Sequence, residues 1–241
     1  MKQIRGDVDL ADLYLKEIPS ILNDVVIEGD FDISDNNIKN LNNFPAYCHR
    51  AYLSRNPLTS LIGIKQKKLS ALEVNGAKIV NLEGCPEQIS ALTIHCRSFN
   101  SLYGSLKTML SYGMFKIRDT QLQTMENCPD GNNVSFVLLN NELTSLVGMP
   151  NKCHDLVISN NKLKTLIGCP QHVTGLFTCE NNNLESFDGF PRAINGDVTM
   201  TTSRMFNNTL MESPSYFESE LRKRCKIYGR VLIKRPTGGL I

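Results

Sequence analysis

Along most of this chain single apolar residues alternate with polar ones, then recur three apart, and each such run closes on glycine and proline. The clearest copy is His154 to Pro170, HDLVISNNKLKTLIGCP. Leu156 and Ile158 alternate as residues of a half-buried strand do, Asn161, Leu163 and Leu166 follow, and Gly168 and Pro170 carry turn chemistry. With Ile158 as anchor, the matching positions are Leu13, Ile33, Leu53, Val74, Ile94, Ile117, Leu138, Cys179 and Met200, in steps of 20 to 23 residues. Two further apolar rows accompany the anchors. One stands five residues on, from Ile18 through Leu163 to Met205, and one eight residues on, from Ile21 through Leu166 to Phe187. Such a period predicts a solenoid whose units bury these rows only by stacking on one another.

The segment Leu156-x-Ile158-x-x-Asn161-x-Leu163 resembles the one that defines leucine-rich repeats. The short period with a turn proline is similar to the bacterial-type repeats of secreted effectors and of tailed-phage proteins. The resemblance spans roughly residues 8 to 206. It implies a β-rich solenoid of the α/β leucine-rich-repeat class: a right-handed curved stack of about ten short parallel strands, extended on its convex side. It also implies that Asn36, Asn56, Asn141, Asn161 and Asn182, three after their anchors, form a ladder bonded to backbone groups at the strand-to-loop bend. Its members are binding scaffolds with unrelated partners, so function must come from the site.

Proline at +12 (Pro45, Pro86, Pro129, Pro150, Pro170 and Pro191) suits an extended return arm, which is too short for a full helix. After Ile94 the unit lengthens and lacks this proline. Leu106, Met109 and Leu110, spaced as on a helix between Gly104 and Gly113, predict a short helical turn there. Ala77 and Arg97 also interrupt the ladder, with Thr120 as a hydroxyl substitute; near Arg97 the bend must open to solvent or bring in an acid. Residues 1–24 read as a capping first repeat, with Leu10, Leu13, Leu15, Ile18 and Ile21 in the core rows. Residues 25–206 read as the solenoid and 207–241 as a basic helix and strand cap.

A net charge of +2 gives no overall pull toward nucleic acid or membrane. The amino-terminal stretch alternates acids with single apolar residues, so neither a signal peptide nor a membrane span is expected. The chain is read as cytoplasmic, in the host's cytoplasm if phage-encoded. Cys85, Cys128 and Cys169 share one core position two repeats apart, roughly 10 Å and beyond disulfide reach, so free thiols are expected. Cys96, near a bend, is expected to be the exposed one.

Residues beside the anchors point away from the core. Tyr52, Arg55, His95, Lys116, Arg118, Val137, Leu139, Val157 and Leu176 form the candidate partner-binding concave face. Branched aliphatics there suit either a partner site or ordinary strand propensity. No catalytic motif is present. Cys48–His49, His95–Cys96 and Cys153–His154 lie strands apart without CxxC or HxxxH spacing, and no metal, cofactor or small-molecule substrate is expected. The 35 residues after Phe206 are too few for the catalytic domain that ubiquitin-ligase effectors join to such repeats. Charge is segregated: residues 213–241 hold seven bases against two acids, whereas 1–212 hold 19 against 22. Ser213 and Pro214 should start a helix with a Phe217, Leu221, Cys225 stripe and a stop at Gly229, followed by a strand at 231–233. Its basic residues Arg222, Lys223, Arg224, Lys226 and Arg230 leave two roles open, a cap on the last repeat or an arm that contacts nucleic acid or an acidic protein. The expected function is non-catalytic protein binding, with nucleic-acid association as the alternative.

Overall fold

The computed structural model describes residues 2–104, 106–201 and 214–234. It is a parallel β-solenoid whose main wall is one sheet of eleven strands stacked in chain order. These are β1 (Val8–Asp9), β2 (Phe31–Asp32), β3 (Arg50–Tyr52), β4 (Lys68–Asn75), β5 (Gln88–His95), β6 (Thr108–Arg118), β7 (Ser135–Leu139), β8 (Leu156–Val157), β9 (Phe177–Cys179), β10 (Val198–Thr201) and β11 (Val231–Lys234). Alternation puts every second side chain inward. Phe31, Ala51, Leu72, Leu92, Phe115, Phe136, Leu156, Phe177 and Val198 accordingly run as one continuous buried row through successive strands. Shorter pairings at Lys2–Ile4 with Val25–Ile27, and at Lys152–Cys153 through His172–Val173 and Ala193–Ile194 to Lys226–Ile227, make a second wall near each end.

Most coils bend sharply twice with left-handed backbone at both bends; the coil anchored at Ile94 is an exception at the first, where Cys96 takes no left-handed conformation. Two residues after the anchor stand Asp35, Arg55, Gly76, Asp119, Asn140, Asn160 and Asn181, all with φ between 52° and 71°. Ten after it stand residues such as Gly84 (φ 84°) and Asn127 (φ 62°). At Gly84 a Cβ would lie 2.3 Å from the Ile62 amide nitrogen of the coil below, so the stacking distance itself demands glycine there. The next amide closes this turn, as when Cys85 N–H donates to Leu82 O at 3.0 Å, and Pro86 then leads into the next arm.

The Asn residues make the same bonds from coil to coil. Asn161 is buried, its Nδ2 lies 2.8 Å from Leu138 O, the anchor of the preceding coil, and its Oδ1 accepts from Leu143 N–H at 3.2 Å. Asn56 reaches Ile33 O, Asn141 reaches Ile117 O and Asn182 reaches Ile158 O in the same way. Thr120 relays the contact: its Oγ1 donates to Asn141 Oδ1 at 2.7 Å and accepts from Leu122 N–H.

The bond pattern corrects the first repeat. Asn36 Nδ2 donates to Leu10 O, so Leu10 is the anchor of that coil. Leu13 and Ile21, expected in the core, are 53% and 68% exposed, while Leu22 is buried. Left-handed Asp12 and Tyr14 accommodate the extra residues of this coil by looping Leu13 outward. The expected helical turn before Gly113 is also overturned. Residues 108–118 form the longest strand, because Thr108 and Met109 pair with Gln88 and Ile89 and inter-strand bonds outweigh local helical spacing. The surplus residues leave as a bulge: pairing resumes only at Ala91 with Met114, and Leu110 to Gly113 stand out between.

The last coil replaces its return arm with helix α1, Pro214–Arg224, whose Phe217 and Leu221 are buried. Cys225 is buried beside them. The helix ends at Arg224, not near Gly229 as expected. Gly229 instead serves the stack: a Cβ there would lie 2.3 Å from Gly196 O. The Ser213 cap and the Met205 core position lie outside the described residues. Among the described residues no helix is long and apolar enough to cross a membrane.

Asn161→Ala should lower stability by about 1–3 kcal/mol through buried amides left without partners. Asn160→Gly, at the neighbouring left-handed and exposed position, should stay within about 0.5 kcal/mol. Urea unfolding checks the pair, and equal midpoints would remove the ladder from the account.

Candidate functional site

The outward side of the main wall carries three rows. One residue before the anchors run Asp32, Tyr52, Glu73, Thr93, Lys116, Val137, Val157 and Thr178, paired strand to strand. One after them run Asn75 and His95, paired together, then Arg118 paired with Leu139. A third row, below these, includes Ala91, Met114 and Ser135. The wall thus brings together His95, Lys116, Arg118, Val137, Leu139 and Val157. Tyr52 lies three strands away, its hydroxyl toward Asp30. Arg55 sits in a left-handed corner, paired with Asp35. Leu176 precedes β9 in the third row, half exposed, its amide bonded to Asp155.

Charge changes along the stack. The first third is acidic through Asp7, Asp9, Asp30, Asp32 and Asp35, partly offset by Arg50, 3.9 Å from Asp30. Hydrogen bonds and charge from Arg55 hold the Asp35 carboxyl below its ordinary range. In the centre His95 Nε2 lies 3.1 Å from Asp119 Oδ2, and Asn140 Nδ2 donates to the other oxygen at 2.8 Å. Arg118 comes only to 3.9 Å of the same carboxylate. Among the described residues, the two buried side-chain polar atoms without a hydrogen-bond partner are Asn75 Oδ1 and Arg118 Nε, on the strands flanking His95. Beyond Arg118 the wall carries Val137, Leu139 and Val157, with Ser135 and Asp155 below them and Thr178 on the next strand.

Met114 and Tyr112 belong to this surface and were missed in the sequence, because the stretch around them reads as helical. The signal was present: aligning the unit on Ile117 sets Met114 opposite Ala91, and Thr-Met-Leu-Ser-Tyr-Gly-Met-Phe is rich in strand formers.

The break in the ladder lies directly behind this region. Cys96 is fully buried rather than exposed, and its Sγ lies 3.3 Å from Val74 O, the acceptor an Asn would take in this coil. Since Cys96 turns in, Arg97 turns out to solvent, which settles its charge without an acid partner.

The basic tail is largely occupied. Arg222 donates to Ile227 O at 2.8 Å and Gly229 O at 3.1 Å and pairs with Glu218, clamping α1 to the short strand Lys226–Ile227 and the turn that follows it. Lys223 pairs with Glu220, Arg224 lies over the Phe187 ring, and Arg230 pairs with Asp197. Lys226 is exposed in the short strand after the helix.

No three His, Cys, Asp or Glu side chains among the described residues converge as a metal site would require. The eight cysteines carry no disulfide. Burial pushes the thiols of Cys48, Cys153 and Cys179 up to about 12 and that of Cys225 up to about 11. Against known proteins, the chain matches no family model and no curated sequence.

These thiols should label slowly in the folded chain and completely in urea, with Cys96 no faster than Cys85; rapid labelling of Cys96 would contradict the inward bend. Because folding raises their pKa values, the stability they contribute is whole below about pH 8.5, where unfolded thiols ionise. It is then lost as pH rises toward 12. Urea midpoints across that range should fall.

Proposed function

We propose that this chain is a non-catalytic protein-binding scaffold of the leucine-rich-repeat kind, with short repeats similar to those of bacterial and tailed-phage proteins, acting in the cytoplasm. The partner is a protein held on the outward side of the main wall. The observation that carries this reading is the contiguous patch of Val137, Leu139 and Val157 bordered by Lys116 and Arg118, apolar at its middle and charged at its rim, as partner sites are. Eight cysteines without a disulfide fit a reducing compartment. The nucleic-acid alternative is the weaker of the two, because Arg222, Lys223 and Arg230 are already engaged within the last coils.

Affinity capture from lysate, with and without nuclease, tests the reading. Val137→Glu or Val157→Glu should abolish recovery of a dominant protein while the urea midpoint holds, since neither residue enters the core rows. Lys223→Glu with Lys226→Glu should change only salt dependence and association rate; Arg222 is left intact because it clamps the helix. Loss of all partners on nuclease treatment, or tail substitutions fatal and face substitutions harmless, would replace protein binding with nucleic-acid binding.

A further inference from the structure

The cations at the two ends of the outward face are matched within the stack. Arg50 faces Asp30, Arg55 holds Asp35, Arg230 lies 2.9 Å from Asp197, and Lys234 lies 2.6 Å from Glu180. The centre differs. Lys116, on β6 between Thr93 and Val137, has no ion pair or hydrogen bond among the described residues. Arg118, two residues on and pointing the same way, competes at 3.9 Å for a carboxylate already taken by His95 and Asn140. Positive charge is therefore in excess on this part of the wall. It borders the apolar row directly, since Lys116 pairs in register with Val137 and Arg118 with Leu139.

The third side of the patch is the bulge. Tyr112 is 84% exposed with φ of 61°, a left-handed conformation that a bulky side chain rarely holds, and Met114 beside it is half exposed. Bulges re-aim side chains next to functional surfaces, and retained backbone strain concentrates at ligand clamps.

We propose that strands β6, β7 and β8 hold an extended segment of the partner protein in which an Asp or Glu stands two residues from an aliphatic side chain. The carboxylate lies between Lys116 and the exposed end of the Arg118 guanidinium, whose nearest acid is 3.9 Å away; the aliphatic group rests on Val137 and Val157, and Tyr112 closes one side. The proposal rests on the protein-binding reading above. Its spacing follows from the geometry of strands. Neighbouring strands are ~4.8 Å apart, which puts Val157 roughly 10 Å from Lys116 across the wall. An extended segment advances about 3.4 Å per residue, so side chains two apart are about 7 Å apart and on the same side, and the second falls between Val137 and Val157. A phosphate backbone would answer the charge but leave the apolar row uncovered.

A displayed library of random peptides panned against the full-length chain tests this. The wild-type pool should be enriched in Asp or Glu followed at the second position by Val, Ile or Leu. Against Lys116→Glu/Arg118→Glu the pool should turn to Lys or Arg at the first place. A synthetic peptide of the wild-type consensus should bind that variant at least tenfold more weakly and recover when its acid is exchanged for lysine. Tyr112→Gly should also weaken it without lowering the urea midpoint. No enrichment on the wild type, a consensus without an acid, or a consensus unmoved by the charge reversal overturns the proposal. So does tighter binding of an oligonucleotide than of the peptide. The wild-type selection decides alone if the reversed variant fails to fold. Cellular capture separates the two readings: lost with Val137→Glu but intact with the reversed charges, it keeps protein binding and removes this segment; intact with every face substitution, it removes both.

Discussion

The hydrogen bond from each buried Asn Nδ2 to the anchor carbonyl of the preceding coil is what the remaining geometry depends on. A strand that turns sharply into a loop leaves amides and carbonyls pointing inward, where water cannot reach them and an unmet partner costs about 1–3 kcal/mol. Asn161 meets a carbonyl of the coil below and the Leu143 amide at once, so it fixes both the shape of its own bend and its register on its neighbour. The left-handed corner at Asn160 places Asn161 for that task. Identical bends can then stack at strand spacing, and the continuous apolar rows follow from the register that the bends impose.

In the middle of the stack this device is altered, and the consequences reach the outer surface. With Ala77 and then Arg97 at the ladder position, one coil has no amide in the bend and in the next the Cys96 thiol reaches the carbonyl at 3.3 Å instead. The following coil accommodates surplus residues as a bulge, and Thr120 relays the ladder back to Asn141. Behind the wall the core stays closed, with Phe99 and Phe115 fully buried. In front, the same few strands carry Lys116, Arg118, the unmatched polar atoms and Tyr112. Irregular bends and an unneutralised surface coincide, which is why the centre rather than either end carries the proposed binding site.

The carboxy-terminal segment shows how charge composition misleads when read without partners. Its surplus of bases suggests an arm, yet Arg222 is spent on backbone carbonyls and Arg230 and Lys234 on acids of earlier coils. The segment finishes the stack, with α1 supplying the apolar wall that a return arm supplies elsewhere.

From the sequence by itself came the repeat, the inward alternation and the ladder residues, because each is a local pattern repeated until chance is excluded, and the helix with its Phe217 and Leu221 stripe, because i, i+4 spacing after a proline is a local signal. The positions of Val137, Leu139 and Val157 on the outer side followed from the same alternation. What the tertiary structure decided were the exceptions. Leu10 rather than Leu13 anchors the first coil, since only the bond from Asn36 tells which of two spaced leucines faces in. Leu106 to Gly113 looks helical by spacing, but pairing with Gln88 and Ile89 offers inter-strand bonds that a single turn cannot match. Cys96 turns inward because Val74 O needs a partner, a demand that belongs to the neighbouring coil and has no trace in the order of residues around Cys96. That Lys116 stands unmatched while Arg230 does not is likewise a fact about neighbours in space. Pairing across coils joins residues about twenty to more than fifty positions apart, and no local pattern records which of them meet.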